Sequence, residues 1–229
     1  MTLLLSVLSG VSAVLAFALA AIANQTGSIT PLSASEVAMY RPYTYFAATG
    51  YCGPSYTRSW SCGVNCEGNP DFQPVDAGGD GEVVQYWFLG YSPSLERVIV
   101  AHEGTQIQDI VSIASDVSII QRPLDPALFP GIPSSVRVHC GFADEQAKTA
   151  TLILAAVNTT LAKYGTSTVT VVGHSLGGAI ALLDAVYLQL HLPPSVKITA
   201  VTYGLPRVGN QGFADYVDAK FAGSLAEGE

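Results

Sequence analysis

One stretch of this 229-residue sequence limits the fold more than any other. Val169-Thr170-Val171-Val172 leads into Gly173-His174-Ser175-Leu176-Gly177-Gly178, and that leads into an apolar run ending near Leu190. A short β-branched run, a glycine-flanked serine and then a helical period make a strand–turn–helix unit. A serine at so sharp a reversal must take a strained backbone. Gly173 and Gly177 leave room for the turn and for close packing of helix on strand. A strand this apolar is buried on both faces, which is the habit of parallel sheets.

The rest of the chain agrees. Ala147, Ala150, Leu154, Val157 and Leu161 recur at helical spacing, so Asp144–Tyr164 is predicted as an amphipathic helix closed by Gly165. Thr168–Val172 is then a strand and Ser175–Leu190 a helix with Ile180, Leu183, Tyr187 and Leu190 on one face. Lys197–Tyr203 is the next strand and Gln211–Phe221 the last helix. Strands alternating with helices predict an α/β class, a mostly parallel sheet flanked by helices. Upstream, Ser33-Ala34-Ser35-Glu36 is a capping box that opens a helix to about Ala48, with Pro42 expected to kink or break it. Gly50 to Asp80 is rich in Gly, Asn and Pro and is expected to be loop. Strands are predicted at Val83–Tyr91 and Leu95–His102, joined by a Ser92-Pro93-Ser94 turn. Gln121–Pro133, with four prolines, is a stiff connection.

Composition narrows the setting. Ten basic against eighteen acidic residues give a net charge of −8, which repels phosphate backbones, so nucleic acid is excluded as a partner. Residues 1–23 carry no charge and end in Ala18-Leu19-Ala20 and Ala21-Ile22-Ala23, the small-x-small pattern that suits signal peptidase. They are expected to be a removed signal peptide rather than an anchor. That leaves one domain, 24–229, secreted and extracellular, without stable membrane insertion. Asn24-Gln25-Thr26 and Asn158-Thr159-Thr160 are then glycosylation acceptors. Cys52, Cys62 and Cys66 lie within fifteen residues and Cys140 stands apart, which predicts one or two N-terminal bridges in an oxidising compartment and leaves the pairing open. No His joins the cysteines at ligand spacing and no Lys follows the elbow glycines, so neither a metal site nor a phosphate loop is expected. No cofactor is expected.

The chemistry centres on Ser175. Its hydroxyl projects from the end of a sheet strand, and the backbone N–H of Leu176, at the start of the following helix, points where a tetrahedral intermediate becomes negative. These motifs, with Val98-Ile99-Val100-Ala101-His102-Glu103-Gly104-Thr105, Val138-His139-Cys140-Gly141-Phe142 and Thr202-Tyr203-Gly204-Leu205-Pro206-Arg207-Val208-Gly209-Asn210, resemble those of the fungal class 3 lipases, a triacylglycerol-lipase group of the α/β-hydrolases. The resemblance covers about Tyr40 to Phe221. It implies an α/β-hydrolase fold, Ser175 as nucleophile, Leu176 N–H as one oxyanion donor and Thr105 as the second through its backbone, with its hydroxyl as a candidate helper. Gly173, His174 and Gly177 form the elbow. It also implies a lid over Ile107–Ile120, whose spaced apolar residues suit a short amphipathic helix. The expected partner is a lipid or ester substrate, met at a lipid–water interface.

One part of that pattern is missing from the sequence. An acyl-transferring serine needs a base and an orienting carboxylate, which in this fold follow it in the order Asp, His. His191 alone follows Ser175, at the far end of the same helix, about 24 Å away at ~1.5 Å per residue. Asp184 lies on that helix, and Asp215 and Asp218 lie on the next. His102, His139 and His174 match non-catalytic positions of the family, with structural roles around the oxyanion loop and elbow. The expectation is therefore a C-terminally truncated secreted ester hydrolase of acyl glycerols, incomplete in its sheet and nearly inactive as it stands. The alternatives are a feruloyl-type esterase and a non-catalytic lipid-binding pseudoenzyme.

Overall fold

A computed structural model describes residues 31–105 and 120–221. The signal segment, Asn24, Ala222–Glu229 and all of the expected lid except the exposed Ile120 lie outside the described residues. The chain divides into two units, Met1–Val37 and Ala38–Glu229. In the first, the expected capping box is present: Ser33 N–H donates to the Glu36 carboxylate at 2.6 Å, and Glu36 N–H donates to Ser33 Oγ at 3.3 Å. The helix it opens, α1 (Ala34–Thr49), continues past Pro42 instead of breaking there. The carbonyl that Pro42 leaves without a donor is that of Ala38, on an exposed turn open to water.

Two short helices follow, α2 (Pro54–Ser59) and α3 (Val64–Glu67), and the disulfide Cys62–Cys66 ties the link between them to α3. Cys52 and Cys140 are free thiols, and burial pushes the Cys52 thiol above its usual range. One bridge thus forms where one or two were expected. The stretch predicted to be loop also holds a strand, β1 (Gln73–Gly78), antiparallel to β2 (Trp87–Ser92) with an irregularity between Pro74 and Asp76. Proline and glycine hid β1 in the sequence, and both are tolerated because β1 is an edge strand. The strand predicted from Val83 starts only at Trp87. Asp80 Oδ1 accepts the N–H groups of Glu82, Val83 and Val84 at 2.8–2.9 Å, and the chain stays in a turn there.

β2 pairs antiparallel with β3 (Arg97–His102), and β3 pairs parallel with β6 (Thr168–His174), which pairs parallel with β7 (Lys197–Tyr203). The order is β1-β2-β3-β6-β7. A small hairpin of β4 (Gln121–Pro123) and β5 (Arg137–His139) stands apart from this sheet. The crossovers are α4 (Cys140–Tyr164), closed by Gly165 at φ 64°, and α5 (Leu176–His191). A last helix, α6, spans Gln211–Phe221.

The strand period of two divides the side chains between two cores. Leu89, Val98, Val100, Val169 and Val171 face α4 and α5, where Ile153, Val157, Leu183 and Val186 meet them. Phe88, Ile99, Ala101 and Val172 face the other way, onto Phe46 of α1 and Phe72. Phe129, from the proline-rich connection, packs edge-on to Tyr187 of α5 with ring centroids 5.8 Å apart. Among the described residues, no helix is long and apolar enough to cross a membrane.

Candidate active site

β6 ends at His174 and α5 begins at Leu176, so Ser175 alone carries the reversal. Its φ of 55° and ψ of −124° are unfavourable for a residue with a side chain, at a cost on the order of 1–3 kcal/mol. The surroundings fix that conformation. Ser175 N–H donates to the Tyr203 carbonyl at 2.9 Å, and Gly178 and Ala179 N–H donate to the Ser175 carbonyl at 3.0 and 3.2 Å. A Cβ on Gly173 would lie 2.1 Å from the Gly177 oxygen, and a Cβ on Gly177 would lie 2.4 Å from the His102 oxygen. Strand and helix therefore meet as bare backbone, for the reason the motif suggested. Ser175 and Leu176 are half-buried. The Leu176 N–H sits in the first turn of α5, where no intrahelical carbonyl is available and the helix dipole is positive.

The second wall comes from β3. His102 lies opposite Gly173 in the parallel ladder, and the chain continues through Glu103 and Gly104 to Thr105. Glu103 and Tyr86 hold each other: Glu103 N–H donates to the Tyr86 carbonyl at 2.8 Å, and Tyr86 N–H donates to Glu103 Oε2 at 3.0 Å. Thr105 Oγ1 is shielded from solvent and has no hydrogen-bond partner among the described residues. A hydroxyl in that state can donate to an incoming anion without first breaking a bond.

All four histidines of the sequence are described, and each is placed elsewhere. His102 Nε2 lies 2.8 Å from Asp184 Oδ2, deep in the protein. His174 Nδ1 lies 2.8 Å from the Tyr51 hydroxyl, which ties the elbow to the connection between α1 and α2. His191 Nδ1 lies 2.7 Å from the Tyr187 carbonyl at the end of α5, the helix-terminal position expected of it. His139 precedes α4 and packs on Phe142 with ring centroids 4.5 Å apart. Among the described residues none of the four is hydrogen-bonded to Ser175, and no group of three His, Cys, Asp or Glu could hold a metal.

Sequence reasoning missed Tyr51, Gln146 and the role of Asp184. Tyr51 carries no local signal, since its partner is 123 residues away. Asp184 does carry one. It is the single charged residue in Leu176–Leu190, a run otherwise apolar but for Gln189 near its end, and a carboxylate there needs a buried partner.

Burial holds the hydroxyls of Tyr51, Tyr187, Tyr203 and Tyr216 above the usual phenol range, with Glu103 adding to the effect at Tyr51 and Asp184 at Tyr187. In the unfolded chain these phenols ionise first as pH rises, so their contribution to stability is complete below about pH 10 and is lost as pH climbs through the folded values. Thermal midpoints measured from about pH 8 to about pH 11 are expected to stay level and then fall. Phenolate absorbance of the native protein should lag behind that of the denatured one.

Comparison with known proteins agrees with this geometry. The family described as Lipase (class 3) matches residues 99–226. The chain is 34% identical over 174 residues to secreted mono- and diacylglycerol lipase 3 of Gibberella zeae, covering 76% of this chain and 52% of that protein. A solved Rhizomucor miehei lipase propeptide complex superposes with a TM-score of 0.71 at 26% identity, covering 85% of this chain and 59% of that one. A triacylglycerol lipase whose catalytic centre is formed by a serine protease triad superposes with a TM-score of 0.71 at 26% identity, covering 82% of this chain and 69% of that one. The chain spans about half the length of the curated relatives it matches. Its helix-flanked sheet, parallel through β3, β6 and β7, is the α/β-hydrolase fold of these structures. With more than half of its residues inside the family match, this chain belongs to the class 3 lipase family.

Proposed function

We propose that Ser175 is the nucleophile of a secreted carboxylic ester hydrolase acting on acyl glycerols through an acyl-serine intermediate, with the backbone N–H of Leu176 and the backbone and hydroxyl of Thr105 binding the oxyanion. The observation that carries this reading is the strained φ of 55° at Ser175, held between a parallel strand and a helix N-terminus. Relatives named as mono- and diacylglycerol lipases support the acyl glycerol class, and their being named as secreted supports residues 1–23 as a signal peptide before a 24–229 domain. Asn158, exposed on α4, suits a glycan, and Asn24 is proposed as the other acceptor.

We expect low turnover from these 229 residues, because none of the four histidines is hydrogen-bonded to Ser175 among the described residues. On that reading only the oxyanion donors and binding contribute, roughly 10³–10⁴ over water. A fluorophosphonate probe is expected to label the chain slowly at Ser175 and not at all after Ser175→Ala, while turnover of short- and long-chain glycerol esters stays near background. Labelling that survives Ser175→Ala sinks the nucleophile assignment. Rapid turnover by this chain sinks the claim that it lacks a base, and lipid binding without labelling favours a non-catalytic lipid-binding protein. Preference for feruloyl over glycerol esters favours the feruloyl-type esterase.

A further inference from the structure

Asp184 is buried completely in the third turn of α5, the helix that Ser175 begins. Both its oxygens are used. Oδ2 lies 2.8 Å from His102 Nε2, and Oδ1 accepts from Gln146 Nε2 at 2.7 Å. With both carboxylate oxygens accepting, the His102 proton sits on Nε2. The three residues belong to three elements: His102 ends β3, Gln146 lies in α4, and Asp184 lies in α5. All three are at most 1% exposed.

A buried polar cluster of this kind is weak support for stability, since apolar side chains of similar volume often serve as well. Its place in the fold suggests another use. His102 is the residue opposite Gly173 in the ladder, and its carbonyl closes the space at Gly177 to 2.4 Å from a would-be Cβ. A closed circuit therefore runs from His102 to Gly173, through Ser175 into α5, down to Asp184 and back through the imidazole to His102. Thr105 lies three residues beyond His102 on the same strand exit. A shift of His102 relative to α5 would move the Thr105 donor relative to the Ser175 hydroxyl.

We infer that Asp184, held by Gln146 and bonded to His102, is the positioning residue that sets the oxyanion strand against the nucleophile helix. The inference rests on the reading of Ser175 and Thr105 as the reacting pair. Its test uses the full 229-residue chain and a fluorophosphonate, with labelling followed against probe concentration below the thermal midpoint of every variant. Asp184→Ala should lower the limiting labelling rate about tenfold to a hundredfold while leaving half-saturation within about twofold, the pattern of a misplaced reacting group. Asp184→Asn can accept from Gln146 and donate to His102 in its other tautomer, and should return the rate to within about threefold of the parent. A lower thermal midpoint for Asp184→Ala with an unchanged limiting rate overturns the inference and leaves a packing role. If the parent chain does not label, the Ser175 assignment fails and positioning is read from amide hydrogen exchange. Faster exchange in Asp184→Ala at both 103–105 and 175–177 supports the circuit, whereas unchanged exchange at 103–105 overturns it.

Discussion

Gly173→Ala is expected to cost the chain a large share of its stability. The added methyl would meet Gly177 O at 2.1 Å, Gly177 C at 2.2 Å and Gly178 N at 2.6 Å, all backbone atoms of the first turn of α5. None can swing aside as a side chain would. To make room, either α5 must withdraw from β6 or the β3–β6 ladder must open beside His102. Overpacking that neighbours can absorb costs about 1–3 kcal/mol, and here the cost should exceed about 3 kcal/mol because the obstacle is main chain. Against a total stability of about 5–15 kcal/mol, that brings a marginal domain close to unfolding. Urea denaturation followed by far-UV circular dichroism measures it. A variant within about 1 kcal/mol of the parent would show that the elbow is looser than the contacts imply.

Thr105→Val should move stability and reactivity in opposite directions. Its hydroxyl is shielded from solvent and unpaired among the described residues, so an isosteric methyl removes a desolvated polar atom without orphaning a partner. Stability should hold or rise by up to about 1 kcal/mol. If the hydroxyl is an oxyanion donor, phosphonylation at Ser175 should slow by about 10²-fold, the usual effect of losing one such donor. Thermal denaturation and labelling kinetics on the same preparation separate the two. Slower labelling with a large drop in stability would point instead to a structural bond made by the hydroxyl, and unchanged labelling would leave the backbone N–H of Thr105 as the donor at that position.

The elbow is legible because its parts are adjacent in sequence: strand, Gly173, Ser175, Gly177 and helix follow one another within ten residues or so, and local sterics force the turn. The helix ends at Gly165 and Ser33 are legible for the same reason, since capping is a matter of three or four neighbouring residues. β1 was not legible. Gln73–Gly78 has the composition of a loop, and only the partner strand β2, folded back across the Asp80 turn, makes it a strand. β2 itself began late because one carboxylate captured three N–H groups, which a hydrophobic count over Val83–Tyr91 does not register.

The fold class, the place of Ser175 and the glycine clearances around it are set by neighbours in the sequence. All follow from local periodicity, steric size and order along the chain. Tertiary structure alone decided what the other polar groups do: that Tyr51 holds His174, that Thr105 has a shielded hydroxyl, and that Asp184 joins His102 and Gln146 across three elements. A buried carboxylate announces in sequence only that it needs a partner. Which partner it finds depends on strands and helices brought together across 38 to 82 residues of chain, and no local rule carries that far.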